Sequence, residues 1–187
     1  TSGPPGELYG STDSCKSWSR IALFNDTLID CARDARNPDV IFVLGEKGLY
    51  KSSDAGAKFS PVATIPGLSC KNGGRLAVSP ADGSVFLAAT LTLGAANECL
   101  VILKSKDGGA TWTTAKFDES AKTASVRALV ISERNPKALY FSGFVTLGDD
   151  GYLRNRVLRS LNGGAGWTPV TVPLLADTSK LYTRPTA

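Results

Sequence analysis

The chain has 187 residues, a length for one domain or two very small ones, and its 42% apolar and 20% charged content suits a buried core rather than a disordered tail. Twenty-one Lys+Arg against 17 Asp+Glu give a net charge of +4 with no basic run, so the concentrated positive face of a nucleic-acid binder is not expected. There is no histidine, which removes Ser-His-Asp and Cys-His nucleophile systems and every His-containing zinc site; no cofactor is expected.

The chain starts at Thr1 and contains no methionine, and no basic stretch followed by an apolar one opens it. We therefore expect a processed chain or a piece of a longer one. The longest apolar runs, such as Cys99 to Leu103, are too short to cross a bilayer as a helix. Four cysteines, Cys15, Cys31, Cys70 and Cys99, form no C-x-x-C pair, which favours disulfides in an oxidising compartment over metal or thioredoxin-like chemistry.

In chain order, a short strand at Glu7-Leu8-Tyr9 leads into the octet Ser11 to Trp18, of the form S-x-D-x-x-x-x-W. Strands follow at Leu28 to Ala32, at Val40 to Val43 after Asn37-Pro38, and at Gly48 to Tyr50; the octet Ser52 to Phe59 then repeats the pattern with Gly56 two positions past Asp54. The next unit has strands at Arg75 to Val78, at Val85 to Ala88 after Ser79-Pro80, and at Leu100 to Leu103, then the octet Ser105 to Trp112. The last has strands at Val126 to Ile131, at Ala138 to Phe141 after Asn135-Pro136, and at Arg156 to Leu158, then the octet Ser160 to Trp167. The tail has room for one more strand, at Lys180 to Arg184. The Asx position recurs at Asp13, Asp54, Asp107 and Asn162, the aromatic at Trp18, Phe59, Trp112 and Trp167.

Each octet carries its own turn chemistry. An Asx side chain accepts backbone N–H bonds about two residues on, and Asn does this as well as Asp. Glycine two positions later tolerates a left-handed backbone, and the aromatic opens the returning strand. Cys15 replaces that glycine in the first octet. A left-handed Cys15 costs about 1 kcal/mol, so the first turn is expected to differ in shape or to be held by a disulfide.

Four octets in phase resemble the Asp-box (BNR) repeat, and the four-strand unit around them looks like a β-propeller blade. Sialidases, xyloglucan-degrading glycosidases, Vps10/sortilin sorting receptors and Ycf48-type photosystem assembly factors carry such repeats. The resemblance covers about Glu7 to Trp167. It implies an all-β fold: a half blade at 1–25, blades at about 26–60, 73–116 and 125–172, and a tail at 173–187, together part of a larger ring. It also implies that Asp13, Asp54, Asp107 and Asn162 are turn residues on the outer rim rather than catalytic groups. In such blades Cys70, before a first strand, and Cys99, before the third strand of the same blade, fall on one face, and we expect them to be bridged; Cys15 and Cys31 remain as a less favourable pair.

A glycosidase needs two facing carboxylates, and the candidates are Asp118 with Glu119, Asp149 with Asp150, and Asp30 with Asp34. All lie in loops or near strand ends, where solvated carboxylates are ordinary, so no catalytic residue is assigned. Thr183-Arg184-Pro185 is a poor echo of the sialidase Arg-Ile-Pro motif and follows the last octet. Gly73-Gly74, Gly108-Gly109 and Gly163-Gly164 lack the Lys-Ser/Thr and helix of a phosphate loop and read as turns. Asn25-Asp26-Thr27 fits a glycosylation acceptor, and Arg154, Arg156 and Arg159 read as a solvated strand face that an acidic partner would fit. The expected function is a non-enzymatic extracytoplasmic scaffold that binds a protein partner or further blades. The alternatives are a fragment of a carbohydrate-active hydrolase and a Vps10-type receptor ectodomain.

Overall fold

Short runs rich in Val, Ile, Leu, Phe and Tyr, broken by Pro, Gly and Asx turns, are too brief for helices and suit antiparallel strands. The computed structural model of the protein describes residues 5–62, 65–70, 73–93, 97–115, 121–147 and 153–170. Among them are fifteen strands and no helix. β1 (Gly6–Gly10) and β2 (Ser19–Phe24) pair as a half blade. The second blade is β3 (Leu28–Arg33), β4 (Ile41–Gly45), β5 (Leu49–Ser52) and β6 (Ser60–Pro61), hydrogen-bonded in that order. The third has β7 (Leu68–Ser69) and β8 (Arg75–Val78), both paired with β9 (Val85–Leu93), then β10 (Asn97–Ser105) and β11 (Thr113–Ala115). The fourth is β12 (Ala121–Ile131), β13 (Leu139–Leu147), β14 (Leu153–Ser160) and β15 (Thr168–Pro169). Every pairing is antiparallel, as the tight turns between consecutive strands require.

The first strands of successive blades run beside one another. The Asp30 carboxylate on β3 accepts the Leu76 N–H of β8 at 2.8 Å, and the Arg75 guanidinium of β8 donates to the Arg127 carbonyl of β12 at 3.0 Å. These bonds cross from blade to blade and fix the order in which the sheets stack.

Side chains of a strand alternate between its faces, and in the third blade both faces are apolar. Val85, Leu87 and Ala89 of β9 pack with Phe42, Leu44 and Leu49 of the second blade, whereas Phe86 and Ala88 pack with Val126, Leu139 and Phe141 of the fourth. A sheet covered on both sides has no polar face, which is why the third blade reads as continuous apolar runs. The half blade is joined by aromatic contacts: Phe24 meets the edges of Tyr50 and Phe59 with ring centroids 5.1 Å apart in each case. Its other face carries exposed Tyr9, Leu23 and Trp18, and the far face of the fourth blade carries exposed Val130 and Tyr140.

The structure differs from the sequence-based expectations in several places. The third blade begins at Leu68, because β7 pairs with β9 ahead of β8, and the fourth begins at Ala121. Cys15, Cys31 and Cys70 are free thiols, so neither expected bridge is formed. Leu68 pairs with Leu91 and Leu91 with Cys99, so β9 stands between the segment ending at Cys70 and β10. Two strand spacings are about 9–10 Å, beyond the Cα separation that a disulfide spans. Cys15 and Cys31 lie exposed on different blades, in a rim turn and on an innermost strand. On β14, Arg156 pairs with Gly143 and Arg159 with Tyr140, which puts these two arginines on opposite faces rather than one. The Lys180 to Arg184 strand, Thr183-Arg184-Pro185 and the pairs Asp118–Glu119 and Asp149–Asp150 lie outside the described residues.

Candidate functional site

The four octets form one turn, built four times. In each, the serine hydroxyl donates to the Asx side chain, from Ser11 to Asp13 at 2.7 Å, Ser52 to Asp54 at 2.7 Å, Ser105 to Asp107 at 2.8 Å and Ser160 to Asn162 at 2.9 Å. The same hydroxyl oxygen accepts the N–H four residues on, that of Cys15, Gly56, Gly109 or Gly164, at 2.7–2.9 Å. The Asx oxygen accepts the N–H four residues beyond itself, that of Ser17, Lys58, Thr111 or Gly166, at 2.8–2.9 Å. The span is therefore four residues, not two, because serine and Asx divide the turn between them. Asp13 and Asp107 also accept the hydroxyls of Ser17 and Thr111 on their second oxygen. Those hydroxyl bonds hold both carboxyls at about 2, below the usual carboxylate range, and the Ser52 hydroxyl lowers Asp54 in the same direction. Asn162 is followed four positions on by Gly166, which has no hydroxyl to place, so an amide suffices there.

Two consecutive left-handed residues follow each Asx: Ser14 and Cys15 at φ 59° and 66°, Ala55 and Gly56 at 57° and 93°, Gly108 and Gly109 at 69° and 97°, Gly163 and Gly164 at 68° and 85°. The first turn thus keeps the common shape with Cys15 left-handed and without a disulfide. The box aromatics Trp112 and Trp167 pack against the cores between blades, and each indole N–H is buried with no hydrogen-bond partner among the described residues. Phe59 meets Phe24 edge-on, whereas Trp18 is 59% exposed.

A second polar cluster lies where the β2–β3 and β4–β5 connections meet. Asp26, 3% exposed, accepts the Lys47 N–H at 3.1 and 3.2 Å and the Tyr50 hydroxyl at 3.0 Å, while the Lys47 ammonium donates to the Asn25 carbonyl. A β-carbon on Gly45 would lie 2.1 Å from an Asp26 oxygen, so glycine is what lets the carboxylate in. Burial and the Asp26 contact push the Tyr50 hydroxyl up. Burial, followed by the charges of Asp26 and Glu46, pushes the Cys70 thiol up to about 12, so it stays protonated. Beside this cluster a cleft of about 280 Å³ runs between the second and third blades, lined by Lys47, Gly48, Tyr50, Pro61, Ile65 and Pro66 among others.

Asp26 ties two loops together and is closed to solvent, an arrangement for anchoring rather than proton transfer. Sequence reasoning met it only inside Asn25-Asp26-Thr27, because its partners lie 21 and 24 residues away. Asn25 itself is exposed in that loop. Asp30 and Asp34 have separate partners. Asp30 accepts from Leu76 and Cys31, and the buried Asp34, four residues on and about 13 Å along an extended chain, accepts from the Arg36 N–H and guanidinium. Among the described residues no three His, Cys, Asp or Glu side chains gather as metal ligands, and no helix is long and apolar enough to cross a membrane.

No family model and no curated protein matches the chain. Solved structures do. A GH74 xyloglucanase from Xanthomonas campestris is similar at 19% identity and a TM-score of 0.63, over 87% of this chain and 26% of that one. An ancestral GH74 enzyme is similar at 22% identity and 0.64, over 88% of this chain and 21% of that one. YCF48 from Cyanidioschyzon merolae follows at 13% identity and 0.51, over 87% and 44%. The chain thus spans less than half the length of each of these structures. With the repeated turn and the stacked four-stranded sheets, these likenesses give the fold as Asp-box β-propeller blades.

Proposed function

We propose that the chain is a blade segment of a larger, glycan-acting propeller working outside the cytoplasm. The observation that carries this reading is the fold match to two GH74 enzymes over 87% and 88% of the chain, an analogy of fold rather than of site. On this reading the described blades are scaffold. Asp118 with Glu119, between β11 and β12, and Asp149 with Asp150, between β13 and β14, belong to the same kinds of connection as Asp26 and Glu46, and acid–base chemistry would fall to such loop carboxylates.

The test is release of reducing ends from xyloglucan and other β-linked glucans by the full protein. Hydrolysis that D118N/E119Q or D149N/D150N abolishes, with the fold intact, is the expected result. Glycan binding without hydrolysis in any of them would refute it. A second reading, a non-enzymatic scaffold for a protein partner or further blades, is favoured by the internal hydrogen bonding of Asp26, Asp30 and Asp34.

A further inference from the structure

Within the molecule, one contact joins each box to the blade before it. A β-carbon added to the second left-handed glycine of a box would lie 2.7 Å from a side chain of the preceding blade in all three cases: Gly56 from Ile21, Gly109 from Val62 and Gly164 from Phe86. Those neighbours are two β-branched side chains and a ring, none of which can swing aside as a long flexible chain does. Glycine at this position is therefore demanded by docking as well as by its left-handed backbone.

In two of the interfaces a lysine adds a second element. Lys51 pairs across the strands with Phe42, and its ammonium lies 5.7 Å from that ring centroid and against Gly108 of the next box. Lys104 pairs with Phe86, lies 4.9 Å from that ring centroid, and donates to the Gly163 carbonyl at 2.9 Å. In both the cation is held by the aromatic ring and against the docked turn, and Lys104 also bonds a backbone carbonyl of that turn.

The fourth blade repeats this pair, and among the described residues no box turn docks on it. Tyr140 and Arg159 are cross-strand partners in the register of Phe86 and Lys104, both exposed, on the face turned away from the core that contains Leu139, Phe141 and Leu158. We propose that this face is a receptor for an Asp-box turn of another blade, seated on Tyr140 with Arg159 bonding its backbone, and that it accepts only a box with glycine at the second left-handed position. The chain's own undocked box, Ser11 to Trp18, fails that requirement because Cys15 stands there. The two outer faces of the described blades are therefore not complementary, and copies of this chain do not join head to tail, a contact that would otherwise generate rings or filaments. This inference is independent of the glycan reading.

The test makes the first box fit. Self-association of the full chain is measured by sedimentation for wild type, C15G and C15G/R159E, with circular dichroism as the check on folding. C15G is expected to associate at least tenfold more tightly than wild type, and R159E to return it to the wild-type level. C15G associating no more tightly, or associating in a way R159E does not touch, would overturn the proposal. A second measurement stands apart from solubility: Gly164→Ala should lower the thermal midpoint, and Phe86→Ala should recover part of that loss. Losses that simply add would show that the neighbouring ring is not the gate, and would overturn it equally.

Discussion

The Asp of the box is an exposed residue with a depressed pKa, and this fixes the sign of its pH dependence. Asp13 and Asp107 titrate at about 2 when folded, below the unfolded value near 3.9, so their contribution to stability is complete above about pH 4 and is lost as pH falls through 2. Asp107→Asn, which copies Asn162 but leaves the Thr111 hydroxyl without its acceptor, is expected to lower the urea midpoint at pH 6 and to match wild type at pH 2. A gap that persists unchanged at pH 2 would contradict this assignment. Cys15 is the other informative residue. At φ 66° and solvent-exposed, it carries a left-handed penalty without a disulfide in return, so Cys15→Gly should stabilise the monomer by about 1 kcal/mol in urea melts at low concentration. Equal or lower stability would mean that the side chain has a favourable contact. Native alkylation followed by peptide mapping should label Cys15 and Cys31 quickly and Cys70 only on unfolding; a Cys70–Cys99 disulfide peptide would contradict the intervening β9.

At the level of elements, the box turns were legible because their chemistry is local: serine, Asx, glycine and aromatic all act within eight residues. The inward burial of Trp112 and Trp167 follows from the same pattern, and either one changed to Ala should cost about 3–5 kcal/mol, whereas Trp18→Ala should cost less than about 0.5 kcal/mol. Equal losses at all three, measured by urea unfolding, would place Trp18 in a packed interface. What sequence could not give is long-range. β7 was missed because two residues carry no period, and the Cys70–Cys99 pairing failed because same-face placement ignored the strand lying between. Asp26 looked like a loop residue because the Tyr50 hydroxyl and Lys47 amide that enclose it are supplied by another connection. Carboxylate partners were equally illegible: Asp30 and Asp34 lie four residues apart in sequence but bond to separate groups.

For the whole molecule, stacking sets a gradient of stability. Among the described residues, the third blade is covered on both faces, the second and fourth each share a core with it, and the half blade of β1 and β2 has two strands and one neighbour. Local opening follows buried contacts, so the gradient should be visible in the backbone. Native-state hydrogen exchange measures it directly. Slowest exchange is expected in β9 and β10, intermediate protection in β4 and β13, and fastest exchange in β1 and β2; protection of β1 and β2 equal to that of β9 and β10 would contradict the stacked-blade arrangement.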